Sequence, residues 1–326
     1  MKKVLKDIVR HIGHMAITDI ILSPFVFISA GVLLFVRKIG FKNLKRCKQI
    51  LLKVGVMPVR NHYYEPLFDE RNLHKPLSDD RQLPGINWNL EEQLSILNQF
   101  NYNEEFKNIP DEYTNDHTFH FNNGTFEPGD AEYWYNLIRL KKPKIIIEVG
   151  SGHSTKIAQL AIKQNKKEKD GYACEHICIE PYEMPWLEKI GITVIREKVE
   201  KVDQDIFKRL GSGDILFIDS SHMIRPQGDV LYEYLELLPI LNEGVIVHVH
   251  DIFTPKDYPK EWIIDDVRFW NEQYLLEAFL TSNNNWKIIG ALNLLHHKQY
   301  KRLKDKCPRL TTGQEPGSFY MRKGTV

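Results

Sequence analysis

From residue 144 onward, short runs of β-branched residues recur with room for one helix between successive pairs. The runs are KIIIEV (144–149), HICIE (176–180), ITVI (192–195), DILFID (214–219) and GVIVHVH (244–250), and helical stretches separate them near 154–165, 185–190, 203–210 and 227–241. A further helical stretch, 130–141, precedes the first run. Strands joined through helices run parallel, so this order predicts a parallel sheet covered by helices on both faces. The end of the chain changes rhythm. A helix near 265–282 leads to WKIIGALNLL (286–295), a polar excursion and GSFYMRK (317–323). Two strands with no evident crossover helix predict an antiparallel pair closing the sheet.

The first sixty residues are of another kind. They hold twelve Lys or Arg against Asp7 and Asp19, a charge of +10 in a chain whose total is only +1. A basic head on an acidic body points to an anionic partner surface. Within the head, IILSPFVFISAGVLLFV (20–36) has no charge and is flanked by Lys2, Lys3, Lys6 and Arg10 on one side and Arg37, Lys38, Lys42, Lys45 and Arg46 on the other. Seventeen apolar positions reach the lower limit of a membrane span. Pro24 removes a backbone donor near the start of the run and offers a place for a break, which leaves three alternatives: a span, a re-entrant segment, or a helix packed on protein. DIILSPFVFISAGVLLF resembles, in topology alone, the re-entrant Ser-Pro helix of monotopic phosphoglycosyl transferases. FKNLKRCKQILLK (41–53) reads as a basic amphipathic helix suited to a membrane surface. The expected membrane contact is therefore residues 16–53, with the body on the cytoplasmic face, or in the cytoplasm if the head packs on protein. Nucleic acid is not expected, since the charges bracket an apolar run and do not interleave with stacking aromatics.

The expected organisation is a basic, apolar segment (1–54), an extended linker or lid (55–117) rich in proline, and a catalytic body (118–326). His62, Tyr63 and Tyr64 read as loop packing or part of a substrate wall. The four cysteines, Cys47, Cys174, Cys178 and Cys307, are too few for a disulfide framework, and Cys174-Glu-His-Ile-Cys178 lacks a second ligand pair for zinc.

The turn IIIEVGSGHST (145–155) follows the first strand. It lacks the lysine of a nucleoside-triphosphate loop and the third glycine of a dinucleotide fingerprint. Glu148-x-Gly150-x-Gly152 resembles the first motif of class I S-adenosylmethionine-dependent methyltransferases, and HICIEP places Glu180 where that family keeps the acid that binds the ribose hydroxyls. FIDSSH (217–222) and VHVHD (247–251) resemble the strand ends of small-molecule O-methyltransferases, as does NGTFEPGDAEYWYNLI upstream. The likeness spans roughly 118–326 and departs at His153-Ser154. It implies a Rossmann-like doubly wound α/β fold, mostly parallel with a terminal antiparallel strand, and S-adenosylmethionine as cofactor, held by Glu148, Gly150, Ser151, Gly152, Glu180 and Asp219. An oxidoreductase binding NAD or a nucleotide sugar on the same kind of sheet is the alternative, as is a non-catalytic binding protein.

Ligands of open α/β sheets lie over the carboxyl ends of the strands, so Asp219, His222, His250 and Asp251 are the candidates for chemistry. Asp219, His222 and His250 are expected to be catalytic, the histidines as general bases, and Asp219 with Asp251 could hold Mg²⁺. By strand alternation His248 and His250 share one face, with Asp251 on the other, so His250 and Asp251 need not point into the same pocket. The acceptor expected is a hydroxyl of a small molecule, glycan or lipid-linked compound.

Overall fold

The computed structural model describes residues 16–182 and 184–324. They divide into two compact units, one ending at His74 and one beginning at Lys75.

In the first unit, helix α1 (Ala16–Ile39) runs unbroken through Pro24. At 1.5 Å per residue its 24 residues span about 36 Å, enough to cross a hydrocarbon core. Of the alternatives left open at Pro24, a broken helix is not the one observed. Proline removes only the bond to the Ile20 carbonyl, the Ser23 hydroxyl donates to the Asp19 carbonyl at 2.7 Å, and fifteen helical residues follow. Helix α2 (Lys45–Val54) begins after a short turn and ends at Gly55.

In the second unit the helices are α3 (Leu90–Asn98), α4 (Asp130–Lys141), α5 (His153–Glu168), α6 (Asp205–Lys208), α7 (Asp229–Tyr232), α8 (Leu238–Ile240), α9 (Glu272–Leu280) and α10 (Leu292–Lys306); a π-helical turn, Glu233–Leu237, fuses α7 to α8. The strands are β1 (Ile145–Val149), β2 (Glu175–Ile179), β3 (Thr193–Ile195), β4 (Ile215–Ile218), β5 (Ile246–Val249), β6 (Trp286–Ala291) and β7 (Phe319–Lys323). They form one sheet in the order β3-β2-β1-β4-β5-β7-β6, with β1 to β5 parallel and β7 antiparallel to both neighbours. The antiparallel pair is as expected, but its connection, read from the sequence as a polar excursion, contains α10, two helical pieces joined at a kink at Gln299 (φ −139°). LNLLHHKQYKRLKDK buries only a narrow stripe, including Leu292, Leu295 and Leu303, and its charges hide that period.

Strand alternation sorts the core into two layers. Ile146 faces Trp134 of α4 and Ile157 of α5, whereas Ile147 and Val149 face Leu237, Leu238 and Leu276. With both faces covered, the strands can be apolar throughout, and the sheet's carboxyl ends are left to carry polar side chains.

Candidate active site

Strands β1 and β4 pair to their last residues, Val149 opposite Ile218, and β2 and β5 lie on opposite sides of this pair, which makes its carboxyl end the switch point over which open α/β sheets bind ligands. The junction is tight. Asp219 N–H donates to the Val149 carbonyl at 2.8 Å, and a β-carbon on Gly150 would lie 1.9 Å from the Asp219 carbonyl oxygen. Gly150 also has φ +79°, so the glycine is required by the chain's own path as well as by any ligand. A cavity of about 520 Å³ opens here, lined among others by Gly150, Glu180, Tyr182, Asp219, Ser221 and Arg225.

The residues expected to hold the cofactor divide into two groups. Gly150, Glu180 and Asp219 line the cavity. Glu180 Oε1 accepts the Tyr182 N–H at 2.9 Å, a turn that fixes the carboxylate just past β2. Glu148, Ser151 and Gly152 are not among the lining residues. Glu148 is fully buried beneath the turn, where it accepts a hydrogen bond from the Thr155 hydroxyl and faces His176 Nε2 at 3.5 Å. Thr155 Oγ1 in turn accepts the Gly152 N–H at 3.1 Å. Thus Glu148 braces the glycine turn from below through Thr155. His153 opens α5 with its ring edge-on to His120 at 5.1 Å; burial, Lys156 and His120 push its pKa down to about 4, so it is neutral.

Beside the cavity the four candidates for chemistry come together. His222 Nε2 lies 3.3 Å from Asp219 Oδ1 and 3.4 Å from Asp251 Oδ2, and His250 Nδ1 lies 3.5 Å from Asp219 Oδ1 and 3.4 Å from Asp251 Oδ1. His250 and Asp251, which strand alternation alone leaves free to diverge, therefore lie side by side. Strand β5 ends at Val249 and Asp251 adopts φ +59°, so alternation stops before it can turn the two side chains apart. His222 also has a left-handed backbone, φ +58°. His248 is a core residue, bonded to Ser318 Oγ at 2.9 Å and stacked on Tyr320.

Two further carboxylates, missed in the sequence, complete the cluster. Glu272, at the start of α9, meets His222 Nδ1 at 2.8 Å and accepts from the Tyr234 hydroxyl at 3.1 Å. Asp130, at the start of α4, faces His250 Nε2 at 3.7 Å while accepting the backbone N–H groups of Gly317 and Ser318. Asp130 lies within the quoted NGTFEPGDAEYWY stretch, so a signal for it existed. Glu272 stands fifty residues from its histidine and had none. Trp270 packs on the His222 ring at 4.3 Å and Phe126 on His250 at 4.9 Å.

Electrostatics follow from this geometry. Burial opposes charge on both histidines, but Asp219 and Glu272 around His222, and Asp251, Asp219 and Asp130 around His250, raise both well above the ordinary imidazole value. Burial likewise disfavours the Asp219 carboxylate, yet His250 and His222 outweigh it and hold the group well below the usual range. Asp251 is raised, chiefly by burial. These shifts favour the charged imidazoles, with His222 bonded through Nδ1 to Glu272 and both rings placed as counter-charges to the carboxylates. The role of general base assigned to them requires that this proton first be displaced.

The donor set also suits a cation. Ligand atoms of Asp219, His222 and Asp251 all lie within 4.8 Å of one another, and the Asp219 side chain keeps 33% of its exposure, open to the cavity. Two carboxylates on neighbouring strand ends fit a divalent ion that prefers oxygen, with His222 as a third donor. Among the described residues Cys178 also lies within such a group, with Glu148 and His176, but these three are engaged with one another and with Thr155 and Gln159 beneath the turn.

Residues 147–252 match the family model described as a methyltransferase domain. That span is similar to a methyltransferase domain and covers about a third of the chain. The chain's sheet is the class I arrangement expected of S-adenosylmethionine-dependent methyltransferases, five parallel strands and an antiparallel pair. A protein of Archaeoglobus fulgidus, itself uncharacterised, is 29% identical over 180 residues, covering 52% of this chain and 78% of its own. Among solved structures, the O-methyltransferase TomG from Streptomyces achromogenes, in complex with SAM, is 11% identical with a TM-score of 0.37, covering 71% of this chain and 90% of its own. An O-methyltransferase from Bacillus cereus, in complex with SAH, is 11% identical with a TM-score of 0.36, covering 72% and 98%. At such TM-scores neither likeness bears on substrate. The matched span runs from Ile147, inside β1, to Ile252 and contains Glu180, Asp219, His222 and His250.

Proposed function

We propose that the domain transfers a methyl group from S-adenosylmethionine to a hydroxyl of a small-molecule, glycan or lipid-linked acceptor. The observation that carries this reading is that Asp219 belongs to both halves of the site. It lines the cavity with Glu180 and Gly150, and it is one corner of the cluster with His222, His250 and Asp251. Glu180 would accept hydrogen bonds from the two ribose hydroxyls, for which a carboxylate is the matching acceptor.

Methyl transfer forms an O–C bond as the C–S bond of the sulfonium breaks, and the acceptor loses its proton. The domain's work is to align the oxygen and to manage that proton. Asp219 and Asp251 would hold a divalent cation, Mg²⁺ by their oxygen character, which lowers the pKa of a nearby hydroxyl. With such an ion held by Asp219, Asp251 and His222, His250 would be the imidazole left to accept the proton. Trp270 and Phe126 pack against the two rings and help exclude water.

Helix α1 supports a bilayer location. Its apolar side chains are exposed, Phe27 at 82% and Ile20 at 71%, and the lysines and arginines that follow favour the cytoplasmic face for the second unit. A lipid-linked or envelope acceptor fits that location best.

The test is transfer of labelled methyl groups from S-adenosylmethionine into a membrane extract, by wild type and by Asp219→Asn. Label appearing only with wild type, and lost on adding a chelator, supports the reading. Equal incorporation by both proteins overturns the assignment of Asp219.

A further inference from the structure

Residues 20–64 contain eight Lys or Arg and no Asp or Glu. Helix α2 lies in the middle of this stretch. At 100° per residue, Cys47, Ile50, Leu51 and Val54 share one face of α2, while Lys45, Arg46, Gln49 and Lys53 lie on the other and Lys48 on a flank. No residue of α2 is buried; Ile50 is 62% exposed and Val54 69%. The apolar strip continues through exposed Val56, Met57 and Val59 to a packed aromatic group, His62, Tyr63 and Tyr64, in which the Tyr63 and Tyr64 rings lie 4.0 Å apart. Glu65 then pairs with Arg60 at 3.0 Å and with Arg37 in the last turn of α1. That pairing brings the aromatic group back to the charged end of the apolar helix. Tyrosines at such a position match the headgroup level of a bilayer, where an aromatic body and a polar tip are both satisfied.

An open apolar face bordered by cations, with no acid among them, is complementary to one kind of surface: a lipid leaflet rich in anionic headgroups. We infer that residues 45–64 form an interfacial anchor, with α2 lying in the plane of an anionic leaflet and its Cys47–Ile50–Leu51–Val54 face inserted. This rests on the reading that α1 lies in a bilayer. It adds a property α1 does not supply, since an apolar helix inserts whatever the headgroup charge.

Cys47 sits in the centre of the inserted face and serves as the probe. Cys178 and Cys307 are buried, so a Cys174→Ala background leaves Cys47 as the accessible thiol among the described cysteines. The full chain, carrying a polarity-sensitive fluorophore at Cys47, is reconstituted into phosphatidylcholine vesicles with or without about 30% phosphatidylglycerol. The expected result is a blue-shifted emission and at least about tenfold better protection from an aqueous quencher in the anionic vesicles. Both are lost in Lys45→Glu/Lys48→Glu/Lys53→Glu and at high salt, while the protein still sediments with the vesicles. Identical emission in the two vesicle types, with the protein bound to both, overturns the inference and leaves α1 as the anchor. A protein that sediments with neither overturns the bilayer reading along with it.

Discussion

His222 Nε2 stands 3.3 Å from Asp219 and 3.4 Å from Asp251, so one imidazole ties together the ends of β4 and β5. Its other nitrogen is bound to Glu272 at 2.8 Å. Four carboxylates and two imidazoles thus share one largely buried cluster beside the cavity, which Asp219 joins to it, and the predictions concern what it binds and what holds it in place.

Asp219 and Asp251 should bind one divalent cation together. Titration of the protein with Mn²⁺, followed by electron paramagnetic resonance, should show one site in wild type that Mg²⁺ displaces. Asp219→Asn and Asp251→Asn should each weaken it by at least about tenfold. Unchanged Mn²⁺ binding in the double variant would place the ion elsewhere.

Gly150→Ala should fail at the level of the fold. Its β-carbon would meet the Asp219 carbonyl oxygen at 1.9 Å and the residue must keep φ +79°. We expect a loss of about 4 kcal/mol or more, visible as a large drop in melting temperature or in soluble yield. Gly152→Ala is the control. Its nearest neighbour would be the Met184 methyl at 3.8 Å, so its stability should be close to wild type.

Those glycines show what was legible in the sequence. The β-branched runs marked all five parallel strands because a strand buried on both faces must be apolar along its length. Glu180, Asp219 and His222 were visible because each lies at or just past the end of such a run. Glu272 and α10 were not. Glu272 reaches the site from another helix through tertiary packing, and the burial stripe of α10 is concealed by its lysines. Whether His250 and Asp251 share a pocket was left open by alternation for a local reason, a left-handed residue just past the strand end that no periodicity foretells.

Glu132 should impose a pH dependence on stability. Burial raises its pKa from 4.5 to about 7, against hydrogen bonds from the N–H groups of Arg309 and Gly129. The folded state therefore holds this proton more tightly than the unfolded chain. The stability it contributes is full below about pH 4.5 and declines as pH rises through 7, by about 3 kcal/mol at most. Urea denaturation across pH 5 to 8 should show Glu132→Gln losing that part of the slope, with its largest relative gain at the alkaline end. Parallel pH profiles for the two proteins would contradict the assignment.

Glu180→Ala should weaken cofactor binding without loosening the fold, since the side chain lies at the cavity wall, beyond the end of β2. An affinity for S-adenosylhomocysteine lowered by about ten- to a hundredfold at unchanged melting temperature is the expected outcome. A variant that binds as wild type does would remove Glu180 from the cofactor site.

The most direct measurement is calorimetric titration of the full chain with S-adenosylhomocysteine and, separately, with NAD⁺ and NADH. The account predicts saturable binding of one S-adenosylhomocysteine and no binding of either dinucleotide. Tight binding of a dinucleotide, with none of S-adenosylhomocysteine, would contradict it.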